Sequence, residues 1–182
     1  MQGNYKIPGD RVPSPVSSSQ PVLGENGRAE AYADEAIKRR RMELQHRQLG
    51  WVKYSEDEVI TFPQGLLGYL KFKQYIFTRE QELSPFSWMI SVEEPNVSVL
   101  VTNPFLFCPD YSPNVTKRDL SELSAENPQS LEMYSIVTMN QDARLTTANL
   151  SGPILVNHEK RIGKQLVLLD DRYSTKHRIL NT

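Results

Sequence analysis

The sequence predicts a mainly β protein: a small antiparallel β-barrel-like domain with one or two short helices, preceded by a disordered and then helical N-terminal extension. Three observations carry this prediction. From Trp51 onward, short segments alternate with period two and are rich in β-branched and aromatic residues. Proline and glycine punctuate them at the spacing of sandwiches and barrels, giving roughly eight to ten strands. No strand alternates with a long amphipathic helix, which argues against a parallel sheet with a nucleotide site at its strand ends.

Residues 1–28 are rich in Pro, Ser and Gly. Such a segment buries too little apolar surface to offset its ordering entropy, so it reads as a disordered tail. Residues 29–48, AEAYADEAIKRRRMELQHRQ, read as a helix, with acidic residues early, basic ones late and Gly50 as the stop. The domain is then expected over 49–182. WVKYSEDEVITF alternates as a strand, and Pro63, Gly65 and Gly68 mark the turn that follows. YIFTRE, FSWMISVE and VSVLVTNPF are further strands bounded by Pro85, Pro95 and Pro104. Thr116 and Asp119 form an N-terminal capping pair for a short helix over KRDLSELS. LEMYSIVTMN is a strong strand. Thr147–Leu169 reads as two strands joined by a tight turn, in which Gly163 supplies a positive φ. The polar tail from Asp170 packs as an edge.

Charge and cysteine content narrow the function. Residues 1–50 hold eight Lys/Arg against six Asp/Glu, and residues 51–182 hold thirteen against sixteen. The domain is therefore mildly acidic, unlike a nucleic-acid-binding domain, and suits a protein partner with a basic face. Only the Lys38–Arg41 run and scattered aromatics support the alternative of a direct RNA-binding module. Cys108 is the single cysteine, which excludes an intrachain disulfide and fits a reducing compartment. No apolar run is long enough to span a bilayer, and no secretory h-region opens the chain, so no membrane association is expected.

No catalytic, cofactor or metal site is expected. His46, His158 and His177 lack metal-ligand spacing, and no phosphate loop, dinucleotide fingerprint or nucleophile elbow occurs. Glu93–Glu94 and Asp170–Asp171 are consecutive, so in a strand their carboxylates face opposite ways. Two other groups stand out. In the loop Asn103–Tyr111, Phe105 and Phe107 would share one side of an extended chain and Leu106 the other. Either the two rings fill the core with Tyr111 clamping the loop, or the loop offers an aromatic patch to a partner. In the hairpin, Asn149 and Asn157 are placed to satisfy backbone groups near Gly152 and Pro153, and at least one of Lys164 and Gln165 should face solvent.

The blocks VITFPQGLLGY, SPFSWMISVEEP, NPFLFCPDY, SIVTM, TANLSGPILVN and GKQLVLLDDRYSTKH, in that order, resemble the flagellar assembly factor FliW family. The likeness runs from about Leu49 to His177. Leu67 stands where the family usually has Pro, and Tyr69 where it usually has Phe. The first forty residues have no counterpart in a typical member, and Met42 lies about where such proteins begin. The resemblance implies a small cytoplasmic β-barrel-like protein without enzymatic activity. It further implies chaperone-like binding of flagellin and antagonism of CsrA, the repressor of flagellin translation. Phe105, Leu106, Phe107 and Tyr111 are the candidate partner surface, with Asn149, Asn157, Lys164 and Gln165 in support.

Overall fold

The computed structural model describes residues 41–78 and 81–180. It contains eleven strands and one short α-helix among the described residues. Strands β1 (Arg41–His46) and β2 (Gly50–Ser55) form a two-stranded antiparallel hairpin of their own. Then come β3 (Ile60–Thr61), β4 (Gln74–Phe77), β5 (Phe86–Ser91) and β6 (Ser98–Thr102). Helix α1 (Lys117–Glu122) precedes β7 (Glu132–Thr138), β8 (Thr147–Ala148), β9 (Ile154–Asn157), β10 (Ile162–Gln165) and β11 (His177–Arg178).

The sheet order β7-β6-β5-β4-β3-β10-β9 closes on itself, because β9 also pairs with β7. The result is a seven-stranded barrel with β8 and β11 as a side branch. The predicted mainly β, barrel-like class is thus what the chain adopts, with β11 as the edge expected of the tail. Neighbouring strands are antiparallel except β10 and β3, which meet in parallel at Ile162 and Thr61.

Alternation along the strands fills the barrel. Ile60, Phe62, Tyr75, Met89, Val101, Ile154 and Val156 point inward and are buried. The outer faces are covered in sectors. The β1–β2 hairpin lays Leu44 and Val52 over Ile76 and Ile90. Helix α1 and the turn after it lay Leu123 over Leu155 and Leu166. Removing these apolar faces from water is the main drive to closure.

Four expectations need correction. The stretch 41–46 of the predicted 29–48 helix is strand β1, paired with β2 from Arg41↔Ser55 to His46↔Gly50; residues 29–40 lie outside the described residues. Tertiary burial of Leu44 and His46 overrides local helix preference there. The compact domain thus includes residues before Leu49. Thr147–Leu169 holds three strands, not two, since β8 pairs with β7 and β11 while β9 and β10 make the hairpin. Finally, the positive φ in that hairpin belongs to Arg161, at 54°. Gly163 sits inside β10, where a Cβ would lie 2.3 Å from the Phe62 ring. Its role is close approach to a core aromatic rather than turn geometry.

Candidate functional site

The polar residues of the hairpin region lock three segments together. Lys164 leaves β10 on the face covered by α1 and donates to Asp119 at 2.5 Å and Glu122 at 2.6 Å. Asp119 also caps its own helix by accepting from the Thr116 backbone and hydroxyl. Burial alone would push the Asp119 carboxyl up, but hydrogen bonds from Lys164 and Thr116 hold it below its ordinary range. Burial likewise pulls against the charged Lys164, and its two carboxylate partners raise it above the usual lysine value.

Gln165 is held as firmly as Lys164. Its Nε2 donates to Gly152 O at 3.1 Å and its Oε1 accepts from Leu67 N at 2.9 Å. The expectation that one of the two faces solvent freely is therefore not met. Asn149 accepts from Gly152 N as expected, whereas Asn157 serves backbone groups away from Gly152 and Pro153, donating to Leu123 O and accepting from Lys160 N.

The aromatic loop splits. Asn103 accepts from Phe105 N, and Pro104–Leu106 closes into a 3-10 turn. A helical turn rotates successive side chains by about a third of a circle, so the two-sided extended arrangement is lost. Phe105 is 43% and Leu106 62% exposed. Phe107 instead packs against Leu100, Val137 and Ala148. Tyr111 is buried and its hydroxyl donates to Leu150 O. Burial pushes the Tyr111 phenol well above its ordinary value. Tyr111 also lies edge-on to Tyr173, with ring centroids 4.7 Å apart.

Tyr173 borders a groove of about 850 Å³ that the sequence pattern does not reveal, lined by Asn114, Asp119, Lys164 and the chain from Gln165 to Tyr173. In the structure Leu166 and Leu168 face the α1 layer, while Val167 is 62% and Leu169 95% exposed. The three histidines do not converge. His46 packs on Trp88, His158 bonds Glu132, and His177 lies near Phe107.

The FliW protein family model matches residues 43–179. The chain belongs to the FliW family. The flagellar assembly factor FliW of Alkaliphilus metalliredigens is 38% identical over 140 residues, covering 76% of this chain and 86% of that protein. Those of Leptospira interrogans serovar Lai and Shouchella clausii are 33% and 37% identical, covering 78% and 74% of this chain and 95% and 92% of theirs. A crystal structure of the flagellar assembly factor FliW superposes with a TM-score of 0.73 at 31% identity, over 78% of this chain and 99% of that one. The family match takes in β1 from Glu43, within the strand that the sequence places in a helix.

Proposed function

We propose that this chain is a cytoplasmic, non-enzymatic assembly factor that binds flagellin in a chaperone-like manner and antagonises the translational repressor CsrA. Flagellin occupying the factor releases CsrA, which stops flagellin translation; export of flagellin returns the factor to CsrA. Membership of the FliW family carries this reading. The mildly acidic domain suits a basic RNA-binding protein. The exposed pair Phe105–Leu106 offers an apolar contact, with Phe107 and Tyr111 holding its base. Asn149, Asn157, Lys164 and Gln165 act in support by fixing the neighbouring segments.

The switch needs only negative coupling of about 1–3 kcal/mol between the two partners. Calorimetric titration with purified flagellin and with purified CsrA tests it. Both should bind, and preloading with flagellin should weaken CsrA at least fivefold. Failure of either protein to bind overturns the proposal. A gel shift at low salt separates the RNA-binding alternative, which requires complex formation by the chain alone.

A further inference from the structure

Strand β10 does not end where the barrel does. Leu166 N donates to Pro153 O at 2.8 Å and Leu168 N to Ser151 O at 2.9 Å, so the chain continues in the β10 register through residue 168. In an antiparallel pair, alternate residues direct their N–H and C=O to opposite edges. Leu166 and Leu168 use the inner edge. Val167 and Leu169 therefore present theirs to the outer edge, where they have no partner among the described residues. β3 meets β10 only at Ile162, so it does not cover this stretch.

Such an edge is unusual. Proteins blunt exposed edges with charge, proline or bulges, and none of these occurs from Gln165 to Leu169. The side chains on its outer-facing residues are instead Val167 and the nearly fully exposed Leu169. Leu67, also exposed, is tied to the same face through Gln165. The groove runs along this segment and is also lined by Asn114, Thr116 and Asp119.

We propose that the open edge at Gln165–Leu169 receives an extended segment of the bound protein partner as an added β-strand. The stretch spans about 16 Å, enough for a five-residue strand. Its backbone would supply the affinity, and side chains at alternate positions would meet Val167, Leu169 and Leu67. Charge selects the occupant. The groove's two cations are already paired, Lys164 with Asp119 and Glu122 and Arg172 with Asp170, and Asp171 makes no ion pair among the described residues. The incoming segment therefore carries apolar residues at alternate positions and a Lys or Arg beside Asp171.

The inference rests on the partner-binding reading above, and its test separates the two. Val167→Pro removes one outer-edge N–H and no internal bond, so the barrel should keep its melting temperature. Val167→Thr keeps the N–H. Purified flagellin and purified CsrA are each titrated onto the wild type and both variants, with amide exchange followed in the wild-type complex. The expected result for one of the two partners is at least tenfold weaker binding to Val167→Pro, near-wild-type binding to Val167→Thr, and slowed exchange at Val167 and Leu169. Should Val167→Pro unfold, the exchange measurement decides alone. Partners that bind without protecting Val167 and Leu169 overturn the edge assignment and leave the functional proposal standing. A wild type that binds neither partner overturns both. Protection that appears in the free protein with rising concentration, and vanishes in Val167→Pro, assigns the edge to a second copy and overturns a heterologous occupant.

Discussion

The β9–β10 hairpin and the 103–111 loop contain the residues most unlike an ordinary barrel, yet they use them differently. In the hairpin every unusual residue is turned inward. Gly163 makes room for Phe62, Lys164 neutralises two carboxylates, and Asn157 ties the turn after α1. In the loop, two residues are turned inward and two outward: Phe107 and Tyr111 anchor the segment while Phe105 and Leu106 stand in solvent. Polar residues in an apolar strand are thus fasteners here, and apolar residues in a loop are the exposed feature. Substitutions should follow that division, with stability losses in the hairpin and recognition losses in the loop.

The largest effect is expected at Gly163→Ala. The added Cβ would lie 2.3, 2.5 and 2.7 Å from three atoms of the Phe62 ring. Phe62 is fully buried and meets Tyr75 edge-on, so it has nowhere to go. Overpacking of this severity costs about 3 kcal/mol, read as a lower urea midpoint. A midpoint within error of wild type would mean that the hairpin is not pressed against the barrel core.

Lys164→Met should follow. It leaves Asp119 mostly buried without its cation, at a cost of about 2 kcal/mol, below the range for fully buried pairs because Glu122 is partly exposed. The pH dependence has a fixed sign. The folded Asp119 carboxyl lies below its unfolded value, so its contribution is present above about pH 4 and is lost as pH falls through the depressed value. Lys164 is raised, so its contribution is intact below about pH 10.4 and is lost as pH rises through the raised value. The wild-type advantage over Lys164→Met should be flat between these limits and shrink outside them. An advantage that changes through neutral pH would assign the stabilisation to another group.

Much of this was legible in the sequence, and the failures share a cause. Period-two alternation revealed β2, β5, β6 and β7, and the Thr116–Asp119 spacing revealed α1 with its capping box. These signals are local. β1 was missed because a basic, alanine-rich lead-in suits a helix, and it takes the pairing with β2 and the burial of Leu44 and His46 to make it a strand. Gly163 was misread because its reason, Phe62, lies about a hundred positions away in sequence. The outward turn of Phe105 and Leu106 comes from the Asn103 cap, Pro104 and the backbone bonds that close a helical turn in place of an extended loop. The open edge beyond Gln165 depends on where β3 stops, which no pattern within 165–169 reports.

Tyr111→Phe tests the anchor of the loop at smaller scale. It deletes one donor and leaves the buried Leu150 carbonyl without it, for about 1–2 kcal/mol. The Tyr173 ring contact survives the change, so the loss should appear in thermal unfolding without a change in partner affinity. Weakened binding at unchanged stability would instead place the hydroxyl in recognition.

The smallest stability effect, and the sharpest division between the two regions, is expected from Phe105→Ser with Leu106→Ser. Both side chains are exposed, and the turn that carries them is fixed by Asn103, Pro104 and the backbone, none of which the variant alters. Exposed substitutions of this kind stay within about 0.5 kcal/mol of wild type. A central apolar anchor at a protein interface costs more than about 1 kcal/mol when truncated, so the double variant should weaken flagellin or CsrA at least fivefold. The same titration on Phe107→Ser would mislead, because Phe107 packs on Leu100 and Val137 and its loss would unsettle the fold. If the double variant binds both partners as wild type does, the exposed pair is not the recognition surface. The open edge at Val167 and Leu169 then becomes the stronger place to look for it.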